Sequence, residues 1–201
     1  LRVLIGRNPA APIVSFQYFT LGALLAENEA NNGIGNAMMQ LLPRGTTTRS
    51  HEQIAQFLDS TGGELDTVMG NNTFNVKAMA LKAHAQETFS LFTDVVLHPA
   101  FAEAELQQIR PLLLQQIASS TEDWFGEGYR FLRMNYYQDS PYQRLNVGNA
   151  EVVSHLTREQ IQAHYARYFL NPSQTVLAIY GDIDPAEVKR GIIQNSIYGV
   201  D

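Results

Sequence analysis

Five histidines and no cysteine bound the metal and nucleophile chemistry open to this 201-residue chain. His51, His84, His98, His155 and His164 never fall at i, i+3 or i, i+4, the spacings that put two imidazoles on one helix face as a metal pair. His51-Glu52 begins like a zinc motif, but Ala55 stands where a second histidine would be needed. His155 has Glu151 and Glu159 four residues to either side, a pattern of ordinary helix pairing. All five therefore read as surface or half-buried side chains. Without cysteine, disulfides, thiolate zinc sites and cysteine nucleophiles are excluded.

Other catalytic signatures are equally thin. No Gly-x-Ser-x-Gly elbow and no Gly-x-x-x-x-Gly-Lys phosphate loop is present. Gly33-Ile34-Gly35 is a lone short glycine pattern. Trp124, Phe125, Tyr129, Phe131, Tyr136 and Tyr137 have the makings of a ligand cage, but their helical spacing reads as core with a few rim tyrosines. Asp182 and Asp184 follow a strand, where helix capping accounts for them. Fourteen Lys and Arg against twenty Asp and Glu give a net charge of −6, which argues against nucleic acid or anionic lipid as the main partner. No apolar run approaches the roughly 20 residues of a membrane span. With 45% apolar and 17% charged residues the chain is no disordered segment, and it is long enough to bury about 70% of its unfolded surface.

The elements that must position any site alternate between periods of 2 and 3.6. Strands are expected near residues 1–6, 12–20, 63–69, 72–81 and 174–180. In the second, Val14, Phe16 and Tyr18 face one way and Ser15 and Gln17 the other. Helices are expected over 33–42, from a capping box at Ser50-His51-Glu52-Gln53 to Gly62-Gly63, over 85–97, over 103–119 with a kink or split at Pro111, and over 122–138. A last unit reads helix from Thr157, strand, helix from Asp184. Strands with one polar face predict an α+β fold: one largely antiparallel sheet with helices packed on one side. One domain is expected over 1–190, followed by an irregular tail over 191–201. The opening Leu1-Arg2-Val3-Leu4-Ile5, without an initiating methionine, reads as a piece of a longer chain.

One ordered set of segments resembles the pitrilysin/insulinase family of zinc peptidases. "LRVLIGRNPAAPIVSFQYFTLGALLAEN" is similar to that family's first hairpin and glycine-led turn. "NNGIGNAMMQLLPRGTTTRS" is similar to its metal-site helix and closing Arg-Gly-Thr, and "FLDSTGGELDT" to the double glycine and substrate-lining strand. "VVLHPAF", "DSPYQRLNVGNAEVVSHLTREQI" and "YARYFLNPSQTVLAIYGDID" match later segments in order, as far as about Lys189. The resemblance implies a metallohydrolase-like domain of the mitochondrial processing peptidase type. It also implies a site built on His-x-x-Glu-His, where two imidazoles bind Zn²⁺, a glutamate activates water, and a glutamate from a later helix completes the shell.

Laid on this chain, the histidine positions fall on Asn36 and Gln40, the base on Met39, and the last ligand on Gln116, or on Gln115 if the register slips by one. Neutral amides suit hard cations within larger shells rather than Zn²⁺, and a thioether takes no proton from water. The resemblance therefore implies an inactive domain with no catalytic residue, no metal and no cofactor of its own. Asn36, Met39 and Gln40 are expected to share a helix face near Gln116. Members of the family pair a zinc-bearing half with a degenerate one around a chamber, so the implied role is to enclose and hold peptide. The implied partners are a catalytic zinc-bearing half, in the same chain or a separate subunit, and peptide substrate. The polar sheet face would line the chamber, and Asp66, Thr67 and Val68 on the strand Leu65–Met69 would meet the peptide by strand addition. The alternative is a structural assembly subunit of the same fold without proteolysis, as in respiratory-complex core subunits.

Overall fold

The alternating strands demand a cover for their apolar side, and the chain supplies it with helices. The structure, a computed structural model, describes residues 1–120, 122 and 124–194. Five strands form one sheet: β1 (Arg2–Arg7), β2 (Ile13–Leu21), β3 (Glu64–Met69), β4 (Thr73–Leu81) and β5 (Thr175–Gly181). Their spatial order is β1-β5-β2-β4-β3. Only β1 and β5 run parallel; β5, β2, β4 and β3 pair antiparallel in turn. The helices are α1 (Ile34–Leu41), α2 (His51–Thr61), α3 (Ala85–Leu97), α4 (Glu103–Ser119), α5 (Trp124–Tyr136), α6 (Ala150–His155), α7 (Arg158–His164) and α8 (Pro185–Gln194). The largely antiparallel α+β architecture follows the sequence pattern, and the strand ends fall within about one residue of expectation.

Inward positions on the sheet build the core. Val14, Phe16, Tyr18 and Thr20 of β2 lie beside Phe74, Val76, Ala78 and Ala80 of β4, all buried, with Leu177 and Ile179 of β5 next to them. Phe89 and Phe92 of α3 meet Phe16 at centroid distances of 5.1 and 6.0 Å, and Phe169 stacks on Tyr18 at 5.0 Å. Each such ring contributes about 2–3 kcal/mol by leaving water. The Tyr18 hydroxyl donates to Phe169 O at 2.9 Å, so the ring is buried without an orphaned oxygen.

Local signals explain most boundaries. Ser50 and Gln53 form the reciprocal capping box that opens α2, and Gly62, left-handed at φ 64°, closes it. Thr157 and Gln160 repeat the box at α7. Asp184 accepts from Ala186 N at 2.8 Å at the start of α8, whereas Asp182 pairs with Lys82 Nζ at 2.8 Å instead of capping.

Several expectations are corrected. Pro111 lies inside α4 without splitting it. Pro111 and Gln107, four residues back, are both exposed, while Leu106, Ile109 and Leu113 hold both sides of the helix in the core. Glu159 sits across a break from His155, on the next helix. The outer sheet face is mixed rather than polar: Ser15, Gln17, Asn75, Lys77 and Asp66 share it with exposed Leu4, Val68 and Tyr180. Helix α8 runs to Gln194, past residue 190 where an irregular tail was expected, and residues 195–201 of that tail lie outside the described residues. The aromatic group on α5 is exposed rather than core, because this helix turns Arg133 inward.

His164 departs from the expected surface histidine. It is buried at the end of α7, edge-on to Phe74 at 6.1 Å and 4.8 Å from the Tyr168 ring. Burial lowers its pKa to about 4 from an ordinary 6.5. The unfolded chain therefore binds a proton between these values that the folded chain refuses. Stability from this group is full above about pH 6.5 and is lost as pH falls toward 4, by about 3 kcal/mol in all. Urea unfolding across that range should show this loss. Subtracting the profile of His164→Leu, which cannot titrate there, should isolate it, and parallel profiles for the two proteins would refute the assignment.

Candidate functional site

Helix α1 carries three of the four positions singled out from the sequence, and a buried carboxylate fixes where it begins. No side chain of Gly33 is available to cap it, and Gly33 sits at φ 105°. Glu27, from the preceding loop, takes over. Its Oε1 accepts from Gly35 N at 2.8 Å, and its Oε2 from Gly33 N at 3.0 Å and Asn32 Nδ2 at 2.8 Å. Burial pushes the Glu27 carboxyl above the usual carboxylate range, against the opposing pull of these donors and of Arg144. The Gly33-Ile34-Gly35 pattern thus cradles the protein's own carboxylate. A Cβ on Gly35 would lie 2.8–2.9 Å from Met69, Glu27 and Phe74, and one on Gly148 would lie 2.6 Å from Gly33 Cα, so this corner admits no side chain at either place.

The same corner is tied to the segment after α5. Asn32 Nδ2 donates to Leu145 O at 3.0 Å, Asn149 N to Asn32 O at 3.1 Å, and Arg144 to Glu27 O at 2.6 Å. Helix α4 is registered independently. Arg110 donates to Val153 O at 2.7 Å, Ser154 O at 2.8 Å and Leu156 O at 2.9 Å, capping the end of α6.

These anchors bring Asn36, Gln40 and Gln116 together. Asn36 Nδ2 and Gln40 Nε2 both donate to Gln116 Oε1, at 3.1 and 3.0 Å. Their remaining N–H groups go to Val147 O at 3.3 Å and Asn36 Oδ1 at 3.4 Å. Gln116, not Gln115, is therefore the residue facing α1. The centre of the cluster is one carbonyl oxygen ringed by N–H donors, the reverse of converging lone pairs. Such a donor set does not fit Zn²⁺. Met39 does not join it. At 1% exposure its side chain belongs to the core, so the expected shared face holds for Asn36 and Gln40 only. Among the described residues, no group of three or more His, Cys, Asp or Glu is placed to hold a metal ion.

Asp66, Thr67 and Val68 lie on β3, the last strand in the sheet order, some way along α1's flank rather than in the amide cluster. Gly70 N donates to Thr73 O at 2.9 Å, which sets the ladder phase: Val68, Asp66 and Glu64 bond to β4. Leu65, Thr67 and Met69 then turn their N–H and C=O groups to the free edge. Met69 O is already taken by Asn146 Nδ2 at 3.1 Å. The side chains of Asp66 and Val68 point to the outer sheet face, and Thr67 to the helix side.

Residues 2–148 match the family described as Insulinase (Peptidase family M16). The chain belongs to this insulinase family of peptidases. An uncharacterized zinc protease of Rickettsia felis is 25% identical over 184 residues, which cover 92% of this chain and 44% of that protein. A crystal structure of a peptidase M16 inactive domain from Pseudomonas fluorescens superposes with TM-score 0.88 at 20% identity, over 96% of this chain and 47% of that one. The periplasmic protease PqqL of Escherichia coli superposes with TM-score 0.83 at 16% identity, over 94% of this chain and 22% of that one. The chain thus spans less than half the length of the relatives and structures it matches. It is an insulinase-family domain in which Asn36, Gln40 and Gln116 form an amide cluster.

Sequence reasoning missed Glu27 and Asp94. Asp94 of α3 accepts from Thr46 Oγ1 at 2.7 Å and Thr48 Oγ1 at 2.8 Å and pairs with Arg49, locking the Arg-Gly-Thr turn after α1. Asp94 takes partners from far along the chain, and Glu27 caps α1 from six and eight residues back, outside any capping-box spacing.

Two outcomes follow from this geometry. Glu27→Gln replaces one acceptor oxygen by an amide that cannot accept, leaving buried N–H donors unmatched. It should cost about 2–3 kcal/mol in urea unfolding, and a change within error would remove Glu27 from its capping role. Dialysis against buffered zinc followed by elemental analysis should leave the chain without stoichiometric metal. Near-stoichiometric zinc lost on changing Gln40 or Gln116 to Ala would overturn the reading of the amide cluster.

Proposed function

We propose that this insulinase-family domain is non-catalytic and helps to enclose and hold extended peptide for a zinc-bearing half, carried on the same chain or on a separate subunit. The observation that carries the reading is the closed amide cluster of Asn36, Gln40 and Gln116. By the family resemblance these are the positions of the metal site, and their side chains neither suit Zn²⁺ nor activate water. The zinc of the assembly would then belong to the partner half alone.

Peptide would pair along the free edge of β3, where Leu65 and Thr67 present unpaired backbone groups and Asp66 and Val68 flank the bound strand. Holding substrate in this way contributes through positioning rather than chemistry. The free edge favours peptide holding over a purely structural assembly role, since an assembly subunit has no use for an uncovered strand that invites pairing.

A peptide-cleavage assay on the parent assembly tests this. Deleting residues 1–201 should lower activity, and Gln40→Ala should leave it largely unchanged. Thr67→Pro removes an outward N–H that β4 does not use, and should raise KM several-fold while sparing kcat. The isolated chain should cleave nothing. Loss of turnover in a folded Gln40→Ala variant, or chelator-sensitive cleavage by the isolated chain, would overturn the non-catalytic reading. An unchanged KM in Thr67→Pro would remove β3 as the peptide seat.

A further inference from the structure

The free edge of β3 is bounded at both ends by the chain itself. Before the strand, Gly63 N donates to Leu58 O at 3.0 Å, so the last turn of α2 uses that donor. At the far end, Asn146 Nδ2 donates to Met69 O at 3.1 Å. Between these points Leu65 and Thr67 turn their N–H and C=O groups outward, and no hydrogen bond among the described residues uses them. From Leu65 to Thr67 the strand rises about 7 Å, room for about three residues of an opposing strand.

Asn146 reaches Met69 O from a segment that is fixed without it. On either side of it, Leu145 O accepts from Asn32 Nδ2 at 3.0 Å and Val147 O from Asn36 Nδ2 at 3.3 Å. Gly148 then crosses Gly33 so closely that a Cβ on it would lie 2.6 Å from Gly33 Cα. The Asn146 side chain is thus not needed to place its own segment. Nor does it shield the edge, since a device against unwanted pairing would cover the middle of the strand, and Leu65 and Thr67 stay open. It puts an amide N–H where an added strand would put its own.

We propose that Asn146 is a stop in the peptide seat: extended peptide pairs with Leu65 and Thr67 and leaves the sheet before Met69. The inference rests on the reading of β3 as that seat, and it names what the seat takes, a short extended stretch of peptide rather than a long strand. In an antiparallel bonded pair, one residue exchanges both hydrogen bonds with the residue opposite. With Met69 O occupied, no residue of an antiparallel peptide can sit opposite Met69, so the Met69 N–H stays unpaired too.

The probe is a set of acetylated, amidated peptides of alternating Thr and Val, three to nine residues long. They are titrated into the isotope-labelled 201-residue chain, with amide shifts and hydrogen exchange read residue by residue. Affinity should rise little beyond three or four residues. On binding, the Leu65 and Thr67 N–H groups should gain protection and the Met69 N–H should gain none. Asn146→Ala, its fold checked by circular dichroism, should extend protection to Met69. It should also bind the seven-residue peptide several-fold more tightly than the parent does, with the three-residue peptide unchanged. Thr67→Pro separates the two readings. If it leaves binding unchanged, or if no peptide binds the parent, β3 is not the seat and the stop falls with it. If Thr67→Pro weakens binding but Asn146→Ala keeps the parent's length dependence, the seat stands and the stop is overturned. Protection of Met69 by peptide in the unmodified chain overturns the stop without any variant.

Discussion

One buried carboxylate holds the candidate site together. Glu27 receives N–H donors from Asn32, Gly33 and Gly35, and its own carbonyl receives Arg144. The loop before α1, the first turn of α1 and the segment after α5 are thereby fastened at one point. Without it three orphan donors would be buried at a helix start whose own cap residue is glycine. The energetic asymmetry of buried hydrogen bonds makes this corner intolerant of partial solutions, since leaving a donor unmatched costs more than making the bond gains.

That arrangement positions the scaffold around α1 through the chain's own side chains. A structural zinc site contributes its binding energy to folding, so losing the ligands unfolds the protein. Here the placement of α1 rests on Glu27, on the glycine crossing of Gly33 and Gly148, and on Met38, Met39 and Leu41 in the core. Gln116 is delivered by α4, which Arg110 registers against α6. The amides of Asn36, Gln40 and Gln116 are then held where they satisfy one another. A half-satisfied cluster of charges would be worse than either a metal site or this one.

The sheet was legible in the sequence because its signals are local. Period-2 alternation in Val14–Thr20 and Phe74–Ala80 follows directly from one buried face. Capping boxes at Ser50 and Thr157 are equally local. The split that Pro111 allowed is absent, because whether proline splits a helix depends on which way its lost hydrogen bond faces, and that is a tertiary fact. The amide cluster was reachable only through family resemblance, as Asn and Gln carry no signature of their own. The family motif places Met39 beside it, whereas in the structure that side chain lies in the core. Glu27 and Asp94 were invisible because their partners lie at positions that no periodicity connects.

Helix α5 shows the limit of pattern reading most clearly. An apolar stripe at helical spacing says that something covers it, and sequence reasoning supplies the nearest candidate, the chain's own core. The structure already has a complete core from the sheet and the other helices, and Arg133 occupies the inward position on α5, reaching Asn71 at the β3–β4 turn. Turning the aromatic side of α5 inward would swing Arg133 out and take its donors away from Tyr142 O and Asn71 Oδ1. The inverted orientation of this helix is therefore fixed from inside the domain. Whatever meets Trp124 and Leu132 finds that surface already formed, and association there need not include the cost of ordering it.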